Sequence, residues 1–347
     1  MKIIKAGYQF ITEKSITKKI ERVARVCYKS EDKIGVGTDT ALIGNLIKKQ
    51  HLAMLEHGDA CLEVSKNVYD LLTDVIDMME NRIRKNEETK KCYLRRTEFY
   101  LGDGVSRYIV SGNIRAWYEF FSVAAKVEAL PITLYDTVNN AVEGIFTSTI
   151  GQYELGIHDD VWGVCIAPYD CRLITDMSEL TPQERMVHET ISVLFTVDRG
   201  VTHELVRHRE ASFAQESTRY CCYSLGKFGN EITVILPLFF DTGMGLQSNS
   251  KVYEAWKYSC EVAERKYLEL LSYGATPQQA RTVLPSSTKA DIVVTANLRE
   301  WKHILNLRAC DSTGPAHPQM KEVMVPLLQE LQGNEYSFAF DDLKVGE

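Results

Sequence analysis

Residues 207 to 220 read RHREASFAQESTRY and set Arg207, His208, Arg209 and Arg219 among Ser212, Gln215, Glu216 and Ser217. Further along, Arg281, Arg299 and Arg308 recur beside Asn297 and Asn306. A guanidinium stays cationic at any relevant pH and grips phosphate through paired hydrogen bonds. It can also stabilise a pyrimidine ring that has lost a proton. These residues therefore suit a small phosphorylated ligand or an anionic base. Composition alone leaves a solvated charged face equally open, but the interleaved His, Ser, Gln and Glu weigh toward a site.

Other chemistries have weaker signals. His203-Glu204-Leu205-Val206-Arg207-His208 resembles a zinc-binding H-E-x-x-H with one residue too many. Histidines five apart do not share a helix face, so no metal site is expected. Ser212 and Ser217 lie near His208 but lack a G-x-S-x-G elbow. The nine cysteines are scattered singly except for Cys221 and Cys222, and no C-x-x-C pair exists. Free, mostly buried thiols in a reducing compartment are the expectation. No G-x-G-x-x-G follows a strand and no G-x-x-x-x-G-K-[ST] loop occurs, so arginines and helix termini would have to hold any nucleotide or flavin.

The bulk numbers bound the rest. With 347 residues, 45% hydrophobic and 25% charged, the chain can bury a sizeable core. A formal charge of −7 argues against a nucleic-acid polymer as partner. The charged start MKIIKAGYQFITEK is no secretory leader and no apolar run reaches membrane-spanning length, which implies a cytoplasmic protein with no membrane partner.

The elements that must carry these residues follow from periodicity and capping. Helices are expected over residues 17–28, 41–50 and 67–83, and strands over 57–64, 191–197 and 231–239. KNEETKK, residues 85–91, reads as a solvated turn, and the stretch from about 65 to 178 as helical and mixed. Thr181-Pro182-Gln183-Glu184 and Thr276-Pro277-Gln278-Gln279 each have the form of a capping box with proline at the first helical position, which puts Arg281 in the first two turns of a helix. IVSGNIRAW (109–117) echoes VVTANLREW (293–301). A recurring strand-to-helix joint capped by Asn is the favoured reading, with duplication of a structural unit as the alternative.

Arg207-His208-Arg209, seven residues, then Ser217, closed by Arg219-Tyr220, resembles the signature of the flavin-dependent thymidylate synthases. RVARVCY (22–28), HLAMLEH (51–57), ARTVLP (280–285), NLREW (297–301) and ILNLRA (304–309) follow in that family's order. The likeness covers roughly residues 1–64 and 185–330 and leaves about 65–184 as a mostly helical insertion in a single domain of 1–347. The resemblance implies an α+β fold, a mixed sheet with flanking helices, in a homotetramer with active sites shared between subunits. It implies reductive methylation of dUMP to dTMP, with methylenetetrahydrofolate giving the carbon, NADPH-reduced FAD giving the hydride, and no cysteine nucleophile.

Carried over residue by residue, the resemblance makes Arg308 the catalytic group that stabilises ionised uracil. It assigns Glu204, Arg207, Gln215, Glu216, Ser217, Thr218, Arg219, Arg281 and Arg308 to dUMP, with 215–219 reaching from a neighbouring subunit. It assigns His51, Ala53, Arg207, His208, Arg209, Gln215, Asn297, Arg299 and His303 to FAD. Ala214 and Gln215 stand where the family often has Asn-Glu, Glu204 where glutamine is common, and Ala53 and Cys27 where small hydroxyl residues are frequent. Asn113 and Arg115 mimic Asn297 and Arg299, but only the later copy runs on to Arg308, so the site is expected there. The departures keep a second reading open, a catalytically impaired relative that binds flavin or nucleotide.

Overall fold

The computed structural model describes residues 1–85, 92–102, 104–126, 132–150, 170–219, 223, 229–241 and 251–346. The elements run β1 (Lys2–Ile4), β2 (Gly7–Phe10), α1 (Ile16–Tyr28), α2 (Thr38–Lys48), β3 (Asp59–Val64), α3 (Lys66–Arg84), β4 (Arg95–Gly102), β5 (Val105–Asn113), α4 (Ile114–Lys126), α5 (Ile132–Ala141), α6 (Ile145–Ile150), β6 (Cys171–Leu173) and α7 (Pro182–His188). Then follow β7 (Thr190–Asp198), α8 (Arg199–Leu205), β8 (Ser212–Gln215), β9 (Thr233–Ile235), α9 (Leu238–Asp241), α10 (Lys251–Ser272), α11 (Pro277–Ala280), β10 (Lys289–Asn297), α12 (Leu298–Arg308), α13 (Pro318–Gln332) and α14 (Ser337–Phe340). No helix among the described residues is long and apolar enough to cross a membrane.

The chain divides into two compact units, one of residues 1–11, 24–31 and 191–347, the other of 12–23 and 32–190. Both mix strands and helices, so the architecture is α+β. The second unit takes in more than residues 65–184.

In the first unit a four-stranded sheet has the order β2-β7-β10-β8, and β1 pairs with β9 in parallel. TISVLFTVD and KADIVVTAN are dense in β-branched residues, which suits β7 and β10 to the middle of a sheet covered on both faces. Asn297 ends β10 and caps α12 by accepting a hydrogen bond from Glu300 N at 2.9 Å. One turn later the fully buried Trp301 donates its indole N–H to the Ile191 carbonyl at 3.0 Å, tying α12 to β7.

The second unit holds a four-stranded antiparallel sheet in the order β4-β5-β3-β6. Asn113 ends β5 and caps α4, accepting from Ala116 N at 2.8 Å, and Trp117 donates to the Ala60 carbonyl at 3.2 Å. The repeated joint thus does the same work in both places. Trp117, Phe121, Phe146 and Tyr135 form the aromatic centre of this unit, with the Trp117 and Phe121 rings stacked at 5.6 Å.

The helices over 17–28, 41–50 and 67–83 and both capping boxes match the sequence reading. The β4–β5 hairpin and β6 were not legible there. Gly102 and Gly104, at φ 100° and 77°, make its tight turn. EITVILPLF yields only the three residues of β9, because Pro237 has no N–H for a ladder and α9 starts just after it. Most of the charged turn, residues 86–91, lies outside the described residues, as does Tyr220.

Candidate functional site

Asp198 ends β7 and caps α8 by accepting from Val201 N at 2.8 Å. The chain then leaves α8 through Arg207, His208 and Arg209 and enters β8. Across from that loop, α12 delivers Arg308 in its last turn, where the helix dipole favours a cation. Arg308 Nη1 bonds Glu204 Oε2 at 3.0 Å, Nη2 donates to the Glu204 carbonyl at 3.3 Å, and Nε donates to His208 Nε2 at 3.1 Å. Three of the five guanidinium N–H groups are therefore spent on holding its plane, and one on each terminal nitrogen is left for a ligand.

His208 accepts from Arg308, so its Nε2 is unprotonated. Burial, reinforced by the Arg308 charge and then by His303 and Arg207, pushes its pKa down to about 4. A neutral imidazole is the state that the geometry requires. Its ring meets His303 edge to face at 6.2 Å.

Arg207, His208, Arg209, His303 and Arg308 line a cavity of about 630 Å³, together with Thr313 to Ala316. Glu210 and Glu300 also line it. Burial raises the Glu300 carboxyl pKa, an effect that His303 opposes and Glu210 adds to. Arginine and histidine outnumber acid in this lining, and Arg207, Arg209 and His303 are exposed to an incoming ligand. The cavity suits an anion.

A second cluster forms around the turn after β8. Arg281 Nη1 donates to Thr218 Oγ1 at 3.4 Å, Arg219 Nε to Gln278 Oε1 at 3.1 Å, and Arg219 N to Ser217 Oγ at 3.3 Å. The Thr276 capping box opens α11 and so fixes Gln278 and Arg281, while Arg219 and Arg281 remain exposed. None of Ser217, Thr218, Arg219 or Arg281 lines the cavity around Arg308.

Glu216 points inward instead. It is 2% exposed and pairs with Lys289 at 2.7 Å and Lys29 at 3.7 Å. Lys289 also bonds Asp291 at 2.7 Å, Lys29 bonds Asp291 directly, and Thr196 Oγ1 donates to Asp291 at 2.7 Å. Burial works against both charges, but the two lysines hold the Asp291 carboxyl below its ordinary range, and Glu216 with Asp291 keeps the Lys29 amine above its own. The network anchors the chain just before Ser217, whose N–H donates to the Cys27 carbonyl at 3.1 Å. Lys29, Lys289 and Asp291 carry no motif, and only the fold shows their part.

Of the remaining expected residues, Gln215 donates from Nε2 to Thr202 Oγ1 at 3.0 Å and so faces α8. Asn297 spends its side-chain oxygen on capping, and Arg299 is exposed in the first turn of α12. His51 and Ala53 are exposed at a 3-10 turn of the second unit. Burial pushes the thiols of Cys61 and Cys171 up to about 12 and those of Cys92 and Cys260 to about 11, which disfavours nucleophilic thiolates there.

Comparison with known proteins shows what part of the chain resembles. The profile described as "Thymidylate synthase complementing protein" matches residues 170–333. A "Flavin-dependent thymidylate synthase" of Pyrococcus abyssi is 36% identical over 137 residues, 40% of this chain and 52% of the relative. One of Thermococcus onnurineus is 36% identical over 137 residues, 40% and 51% of the two chains. One of Pyrococcus horikoshii is 28% identical over 186 residues, 49% and 72% of the two chains. The chain spans about half the length of the first two relatives. A structure of the UMP/dUMP methylase PolB from Streptomyces cacaoi aligns over 96% of this chain and 93% of its own at 15% identity, with a TM-score of 0.38, too low to carry the fold. Over residues 170–333 the chain is similar to the thymidylate synthase complementing proteins.

Proposed function

We propose that the protein is a flavin-dependent thymidylate synthase that methylates dUMP reductively to dTMP, with methylenetetrahydrofolate as carbon donor and NADPH as reductant of FAD. The observation that carries this reading is Arg308, oriented by Glu204 and His208 with two N–H groups left over at a cationic cavity.

The chain's own residues have separable tasks. Arg308 stabilises the uracil ring once N3 has lost its proton, and the added electron density makes C5 a better nucleophile. A fixed cation of this kind acts without reorganising as charge develops. Neutral His208 and anionic Glu204 hold the guanidinium in place, so Glu204 serves Arg308 rather than touching dUMP. Ser217, Thr218, Arg219 and Arg281 bind the phosphate and sugar of dUMP, and buried Glu216 anchors their turn. Gln215, next to that turn, contributes through its amide.

The cavity fits a flavin dinucleotide by its donor set. Arg207 and Arg209 offer exposed guanidinium groups to the diphosphate, and His303 offers an imidazole to a ring or ribose. Arg299 completes the proposed cofactor contacts of this unit, with Asn297 acting through its cap on α12. When bound, FAD supplies the hydride that reduces the transferred carbon.

The Arg308 cavity and the Ser217–Arg219 cluster line different places on one chain. That separation supports a homotetramer in which each site joins the cavity of one subunit to the turn of another. The test is dTMP formation from dUMP with methylenetetrahydrofolate, FAD and NADPH, omitting each in turn. Product that requires all four supports the synthase. No product from folded, flavin-loaded protein overturns it in favour of a flavin- or nucleotide-binding relative.

A further inference from the structure

We infer that the chain is an internal duplication: its two four-stranded sheets are copies of one module, and among the described residues only the copy in residues 191–347 keeps an open anion site. Read from one edge, the sheets are β4-β5-β3-β6 and β8-β10-β7-β2. Order alone is weak ground, because simple antiparallel orders recur. Register is stronger, since a slip of one residue turns every side chain to the other face.

The edge pairings of the two sheets coincide in register, and a side-chain bond links the central strands of the second at the matching place. Leu173 of β6 faces Leu62 of β3, with Ile174 N bonded to the Cys61 carbonyl at 2.8 Å. Phe10 of β2 faces Val193 of β7, with Ile11 N bonded to the Ser192 carbonyl at 2.9 Å. Cys61 in turn faces Ser111 of β5, and Ser192 bonds Thr295 of β10 side chain to side chain at 2.6 Å. Ser111 faces the first residue of β4, Arg95, and Thr295 the first residue of β8, Ser212. Each central strand then runs to an Asn cap and a Trp whose indole bonds the carbonyl just before Cys61 or Ser192. The edge strands even leave the sheets through related sequences, FITEKS (10–15) and LITDMS (173–178). Each of these edge strands precedes its own copy in the chain and completes the sheet of the other.

The correspondence assigns a partner to every cavity residue of α12. Glu300, His303, Leu307 and Arg308 match Ala116, Glu119, Val123 and Ala124 of α4, and all four of the latter are buried, Ala124 fully. Arg115, the match of Arg299, is held by Glu56 at 2.7 Å and Glu119 at 3.2 Å. The first module has filled the place where the second keeps a cation and a cavity, and it serves as scaffold. Residues 65–184 are then most of a module rather than an insertion.

Two measurements on the full chain test this, and only the first rests on the proposed function for its ligand. Titration with FAD is expected to saturate at one flavin per chain, unchanged by Arg115→Ala; two per chain, or loss of binding in Arg115→Ala with the fold intact, would overturn the inference. Melting without ligand is the second. Ala124→Arg, which forces a charge into a filled site, is expected to lower the midpoint by about 10 °C or more or to prevent folding, and Arg308→Ala to move it by less than about 3 °C. An Ala124→Arg chain that melts like the wild type would show an open site there and overturn the inference even if no flavin binds, an outcome that by itself counts only against the proposed function.

Discussion

Arg308 takes its direction from two neighbours of opposite character, a carboxylate and a neutral imidazole. Removing the carboxylate charge in Glu204→Gln keeps a hydrogen-bond acceptor but weakens the hold, so turnover is expected to fall about 10-fold while flavin content stays the same, as steady-state kinetics at fixed flavin loading would show. The imidazole gives a pH signature. Its folded pKa of about 4 lies below the ordinary 6.5, so the unfolded chain binds more protons between those values. Stability from this group is complete above pH about 6.5 and is lost as pH falls through about 4. His208→Gln should flatten that part of the acid limb in a melting-versus-pH series; an unchanged limb would remove His208 from the account. At this scale the arginines and His208 were legible because the motif names them. That Glu204 holds Arg308 was not, because sequence separates them by most of a module.

Elements explain why the motif is rigid at one point and open at the next. Glu216 sits among Lys29, Lys289, Asp291 and Thr196, drawn from the end of α1 and from β7 and β10, and so it fixes the turn that carries Ser217 and Arg219. Breaking a buried pair from one side costs about 3–5 kcal/mol, because a charge stays behind without its partner. Lys289→Met should therefore destabilise the fold by that order in chemical denaturation and raise the KM for dUMP more than it lowers kcat. A lower kcat at unchanged KM would contradict the positioning role. The capping boxes were plain in sequence because their chemistry is local, Thr to N3 and N3 back to Thr. The β4–β5 hairpin was hidden because EFYLGDGVSRYIV puts charged and polar residues through both strands, and its pairing with β3 is settled only by the sheet.

For the whole molecule, the two cationic clusters of one chain are expected to meet only across subunits. Co-expressed Arg308→Ala and Arg219→Ala chains, each inactive alone, should regain measurable activity in mixed assemblies, and mixed assemblies without activity would argue that each chain completes its own site. The sequence echo at 109–117 and 293–301 was too short to indicate more than a shared joint. Register, indole bonds and caps extend it to whole sheets, which no local pattern could have done, since strand partners are far apart in the chain.

Arg308 is proposed to activate the uracil ring. Tritium release from dUMP labelled at C5, with methylenetetrahydrofolate, FAD and NADPH present, tests it most directly when wild type and Arg308→Ala are compared at equal flavin content. Release and dTMP are expected from the wild type, and a fall of about 1,000-fold in the variant with its flavin retained. Equal release from both would contradict it.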